Sequence, residues 1–138
     1  MCCKLFNIEE LNKPAHKWCQ HCNPSQGCKI YPTRPETCVD YQCLWLRSQA
    51  SEIKMAEALR PNKCKIVFEL NGNGTLLVAH VDRAYPGNIN NPEVVRFLEA
   101  VQRTNVVVYV SCGEQQWIFG HKDDKEYFAR VEDSIVIH

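Results

Sequence analysis

Seven of the nine cysteines lie in the first 43 residues, at Cys2, Cys3, Cys19, Cys22, Cys28, Cys38 and Cys43. Thiols gathered this tightly bind a metal, hold an iron–sulfur cluster or form disulfides. From Cys19 the spacing is C-x2-C-x5-C-x9-C-x4-C. Cys19-Gln20-His21-Cys22 is a chelating knuckle, in which two intervening residues let both sulfurs approach one metal. Gly27 before Cys28 permits a tight turn beside it. Cys38 and Cys43 add two more thiolates, and Cys2 and Cys3 reach the others only if the chain folds back.

A metal site is the most economical reading. Divalent metal deprotonates a thiol, and its binding energy becomes folding energy. The expected ligands are Cys3, Cys19, Cys22, Cys28, Cys38 and Cys43, with Cys2 and His21 as secondary candidates. Structural zinc takes four ligands and iron–sulfur clusters are also held by four cysteines. The thiols therefore exceed one site, and the spacing alone leaves zinc and iron open. Zinc is the first expectation and a structural one, because so many sulfurs leave no open position for water. An iron–sulfur redox or accessory subunit is the alternative. Cys64 and Cys112 each stand alone at a strand end and read as packed free thiols. Arg34, in the stiff Arg34-Pro35 turn, is either a cation near the thiolates or a solvated turn residue.

The start of the chain lacks the basic, apolar and small-residue pattern of a secretory signal. A cytoplasmic setting is expected, where disulfides are rare. An odd cysteine count also prevents complete pairing. No apolar run approaches the ~20 residues of a membrane helix. With 16 basic and 16 acidic residues, no global field favours nucleic acid. A nucleic-acid-binding zinc module is accordingly disfavoured, and a protein partner is left open.

The elements that must position these residues divide near Arg60-Pro61. Pro14, Pro24, Pro32 and Pro35 break long helices and strands, so residues 1–40 should be mostly loops and turns that need a metal staple. Residues 41–60 suit helix, with Ser51 capping a second helix over Glu52–Leu59. Ile66, Phe68 and Leu70 alternate as one face of a strand. Asn71-Gly72 signals a hairpin, and Thr75–Asp82 is the return strand. Asn91-Pro92 reads as an N-cap followed by proline at the first helical position, with Val94, Leu98 and Val101 on one helical face. Asn105–Cys112 is a third strand, Gln116–Gly120 a fourth, and Ser134–His138 a possible fifth. The fold class is α+β: an irregular cysteine-rich half, then a small antiparallel sheet with one packed helix, in the order β-β-α-β-β. The expected parts are a metal-binding module at 1–47, a helical connection at 48–61 and an α+β unit at 62–138, packed as one body.

The string Gly27-Cys28-Lys29-Ile30-Tyr31-Pro32-Thr33-Arg34-Pro35-Glu36-Thr37-Cys38, followed by Tyr41-Gln42-Cys43-Leu44-Trp45-Leu46, resembles the zinc- or iron-chelating CxxCxxCC family (YkgJ-type proteins). Cys2-Cys3 is similar to the doubled cysteine that closes that family's opening motif. The first two cysteines of the motif are missing, and Cys19 and Cys22 stand in for them as in a short variant. The resemblance covers residues 2–47. It implies metal binding by the cysteines and no settled reaction.

Nothing in the sequence assembles a catalytic site. Cys112 with His80 has no local orienting group. Asp123-Asp124 lies in a charged run, and Asn71-Gly72-Asn73-Gly74 lacks the lysine and helix of a phosphate loop.

Overall fold

A computed structural model describes residues 1–120. The chain divides into two compact units, Met1–Gln42 and Cys43 onward. Ser134–His138 and the Asp123-Asp124 run lie outside the described residues.

The first unit is made of short pieces, as its prolines predict. Helix α1 (Cys2–Leu5) is one turn long. A 3-10 turn at Glu9–Leu11 ends at Asn12 in the left-handed conformation, which asparagine tolerates better than most residues. That turn closes a bridge in which the Ile8 and Lys13 amides and carbonyls pair at 2.9 and 3.0 Å. Strands β1 (Cys22–Asn23) and β2 (Gly27–Cys28) form a minimal hairpin with Cys22 opposite Cys28. The Asn23 side chain accepts from the Ser25 amide at 3.1 Å, and Gly27 takes φ +93°, a value that excludes most side chains. Helix α2 (Glu36–Asp40) follows Pro35. The buried apolar residues of this unit are only Leu5, Ile8 and Cys19.

The second unit holds a true core. Helix α3 (Leu44–Gln49) and the one-turn α4 (Pro61–Cys64) precede the sheet. Its strands are β3 (Ile66–Asn71), β4 (Leu76–Val81), β5 (Val107–Cys112) and β6 (Gln115–Ile118), in spatial order β3-β4-β5-β6. Helix α5 (Pro92–Gln102) lies between β4 and β5 in sequence. Ile66, Phe68, Leu77, Ala79, Val81, Val108 and Val110 form one buried cluster with Val94 and Leu98 of α5. Leu76, Val78, Tyr109 and Ile118 form a second.

The α+β class is as expected, with two corrections. The sheet is mixed: β3–β4 and β5–β6 are antiparallel, but β4 and β5 run parallel. A helix joining two neighbouring strands brings the chain back to start the second in the same direction. The expected helix over Glu52–Leu59 is absent. Only a 3-10 turn at Glu57–Leu59 forms, and Pro61 then starts a one-turn helix. The Ser48 hydroxyl explains the break. It donates to the Trp45 carbonyl at 2.7 Å and accepts from the Met55 amide at 3.0 Å, capturing an amide that a helix would need. The Asn71-Gly72 hairpin does form, although Asn73 and Gly74 carry its positive φ values.

Asn91 caps α5 as predicted, its side-chain oxygen accepting from the Glu93 amide at 3.0 Å. Asn91→Ala is expected to lower stability by about 1 kcal/mol, read as a shift of the urea midpoint at constant slope. Among the described residues, no helix is long and apolar enough to cross a membrane.

Candidate metal centre

The local folding of the first unit brings six thiols into one neighbourhood. The Cys19 amide donates to the Cys3 carbonyl at 2.9 Å, which ties α1 to the knuckle. The Cys22 amide donates to the Cys19 carbonyl at 3.0 Å, closing the expected two-residue turn. The β1–β2 pairing sets Cys28 opposite Cys22. Cys38 sits on α2.

Electrostatics show the same convergence. Burial pushes the Cys38 thiol up, and the charges of Cys2, Cys28, Cys19 and Glu10 push it further. Cys3 is pushed up by the hydrogen bond it gives Cys2, then by burial and by the charges of Cys2 and Cys22. Cys2 moves the other way, to about 6, because it accepts that bond and lies near the positive chain terminus. All nine cysteines are free thiols.

The donors suit a soft or borderline metal, since thiolates favour zinc, copper(I) and iron–sulfur clusters over magnesium or calcium. As placed, no group of three or more His, Cys, Asp or Glu among the described residues is arranged to hold a metal ion. The six thiols share an electrostatic neighbourhood, not a formed coordination sphere.

Of the other sequence candidates, His21 and Arg34 belong to the first unit, and Cys43, Cys64, Cys112 and His80 to the second. Cys43 is the first residue of the second unit and precedes α3. Its charge adds to burial in raising the Cys64 thiol. Cys64 is buried, and its sulfur donates to the Leu59 and Ile66 carbonyls, each at 3.4 Å. Cys112 is buried in the core cluster, and burial raises its thiol. His80 stands 2.9 Å from Glu69 and pairs in register with Ser111. Strand alternation therefore puts it on the opposite face of the sheet from Cys112, which separates the one cysteine–histidine pair considered for catalysis. His21 is half-buried, and its carbonyl accepts from the Lys29 amide at 2.7 Å. Arg34 donates to the Tyr31 carbonyl at 2.7 Å and stacks 3.8 Å from the centre of that ring. It braces its own turn. An open groove of about 460 Å³ in the second unit is lined by Leu44, Met55, Leu70, Phe97 and Val101 with Arg47, and holds no nucleophile with a base.

No family model, curated protein or solved structure matches the chain.

One residue of the site was not visible in the sequence. Lys13 is 5% exposed. Its ammonium donates to the Lys4 carbonyl at 2.8 Å and to the Phe6 carbonyl. Burial pulls its pKa down, and the charges of Cys19, Cys3, Cys2 and Cys38 oppose that shift. A lysine between Asn12 and Pro14 reads as an ordinary turn residue. In the fold it is paired with Ile8 in a backbone bridge and buried.

Cys2 gives a direct check on the electrostatics. A thiol reacts as its thiolate, so lowering its pKa raises the reactive fraction at neutral pH. Wherever residues 1–42 keep this arrangement without metal, alkylation of exposed Cys2 should set in at lower pH than that of the other thiols, and if they unfold it should track them. Ordinary thiols, with a pKa of about 8.5, should still be climbing at pH 8. Peptide mapping of iodoacetamide adducts across pH resolves the two.

Proposed function

We propose that residues 1–42 are a structural zinc-binding module whose thiolates come from Cys3, Cys19, Cys22, Cys28 and Cys38, with Cys2 beside them. One observation carries this reading. The unit is compact, yet its buried apolar residues are Leu5, Ile8 and Cys19 alone, while six thiols converge within it. A segment this short cannot stabilise itself through so small a core and needs a cross-link or a metal. The thiols are free, which favours a metal over disulfides as the staple. The resemblance of residues 2–47 to the CxxCxxCC family implies metal binding by these cysteines and by Cys43 as well. Bound zinc would deprotonate its thiols and hold the loops together. It would supply the folding energy that the core lacks.

Elemental analysis of anaerobically purified full-length chain tests this. Zinc at one or two atoms per chain, with a colourless protein, is the expected result. A brown protein containing iron and sulfide would replace zinc with the iron–sulfur alternative. Absence of both metals, with every thiol free to react, would remove the metal reading altogether.

A further inference from the structure

Lysine is almost never fully buried unless it is paired. A buried ammonium without compensation is strongly disfavoured. Lys13 is buried, yet among the described residues its hydrogen-bond acceptors are two backbone carbonyls, Lys4 and Phe6. No carboxylate is among the groups whose charge bears most on it. Those groups are the thiols of Cys19, Cys3, Cys2 and Cys38. The two acceptors flank the end of α1, which carries Cys2 and Cys3. The Cys3 carbonyl in turn receives the knuckle amide of Cys19. The Lys13 ammonium therefore braces the end of α1, a backbone bond ties α1 to the C-x-x-C turn, and the charges of four thiols bear on that ammonium.

We propose that Lys13 is the positioning residue and internal counter-charge of the thiolate site. It holds α1 in place through the Lys4 and Phe6 carbonyls and offsets the excess negative charge that forms when the thiols ionise onto metal. This rests on the zinc reading above. Four thiolates around one Zn²⁺ leave a net charge of about −2. In a partly desolvated site that charge is costly unless a cation shares the space. Outer-shell partners of this kind change metal affinity by about 10–100-fold when removed.

The test uses the reduced full-length chain and zinc itself, titrated against a chromophoric chelator. Lys13→Met removes the charge and the donors together. Lys13→Gln keeps donors but removes the charge. Both should bind zinc about 10–100-fold more weakly than the parent chain. Cobalt(II) substitution should still give sulfur-to-metal charge-transfer bands, showing that the ligands are retained. A purely structural anchor predicts instead that Lys13→Gln keeps full affinity, and that result overturns the counter-charge. If neither neutral variant folds, Lys13→Arg decides. Affinity within about tenfold of the parent supports a required cation, and a loss beyond that range overturns it. A parent chain that binds no zinc overturns both the module and the role of Lys13. A parent chain that binds zinc, with Met and Gln variants that bind equally well, overturns the role of Lys13 alone.

Discussion

Cys19→Ser is expected to cut zinc affinity by about a hundredfold. Structural zinc contributes at least about 10 kcal/mol in small modules, and four sulfurs share it at ~2.5 kcal/mol each. Each 1.36 kcal/mol is about a factor of ten. Serine keeps its proton and is a poor zinc ligand, so little of that share returns. Cys19 is the best choice because it is the most buried thiol of its unit, at 6% exposure. Its charge also reaches both Lys13 and Cys38. Cys112→Ser is the control. That thiol is packed in the helix–sheet core, so its replacement should lower stability and leave zinc affinity unchanged. Competition titration of both variants separates the outcomes. Equal zinc affinity in the Cys19 variant and the parent would remove Cys19 from the donor set. Amide exchange within residues 1–42 gives a second reading. Chelation should speed exchange there, because a unit with Leu5 and Ile8 as its aliphatic core has little else to hold it.

Where one physical signal dominated locally, the sequence was readable. Ile66, Phe68 and Leu70 alternate because one face of β3 meets α5, and Asn91-Pro92 starts that helix because cap and proline agree. The C-x-x-C turn likewise needs only local geometry. Three features needed information from farther away. The parallel pairing of β4 with β5 depends on where the crossover helix returns the chain, which periodicity within either strand does not encode. The near-continuous apolar run Val106–Val110 was the available hint, since strands covered on both faces read that way. The failed helix at Glu52–Leu59 turned on one hydroxyl. Ile53, Ala56 and Leu59 are compatible with helix, yet Ser48 takes the Met55 amide and Ile53 is left 87% exposed. Lys13 was hidden for a third reason. Its burial follows from the turn at Asn12 and from thiols six or more positions away, and residue type alone places a lysine in solvent.

Phe68→Ala should be the costliest single truncation in the second unit, at about 3–5 kcal/mol. Phe68 is fully buried at 0% exposure and meets Phe97 of α5 edge to face, with ring centres 5.0 Å apart at 67°. Its cross-strand partner is Ala79, too small to fill the space a lost ring would leave. Collapse of the site is therefore limited, and the cavity term adds to the lost transfer energy. Phe97→Ala should cost less, because that ring is only partly buried at the edge of the cluster. Phe68→Leu should also cost less, since it keeps most of the apolar contact. Chemical denaturation of the three variants gives the order directly. A typical domain has only about 5–15 kcal/mol in total, so the alanine variant should sit close to unfolding. A loss below about 1 kcal/mol at Phe68 would mean that the α5–sheet contact is not where the second unit gets its stability.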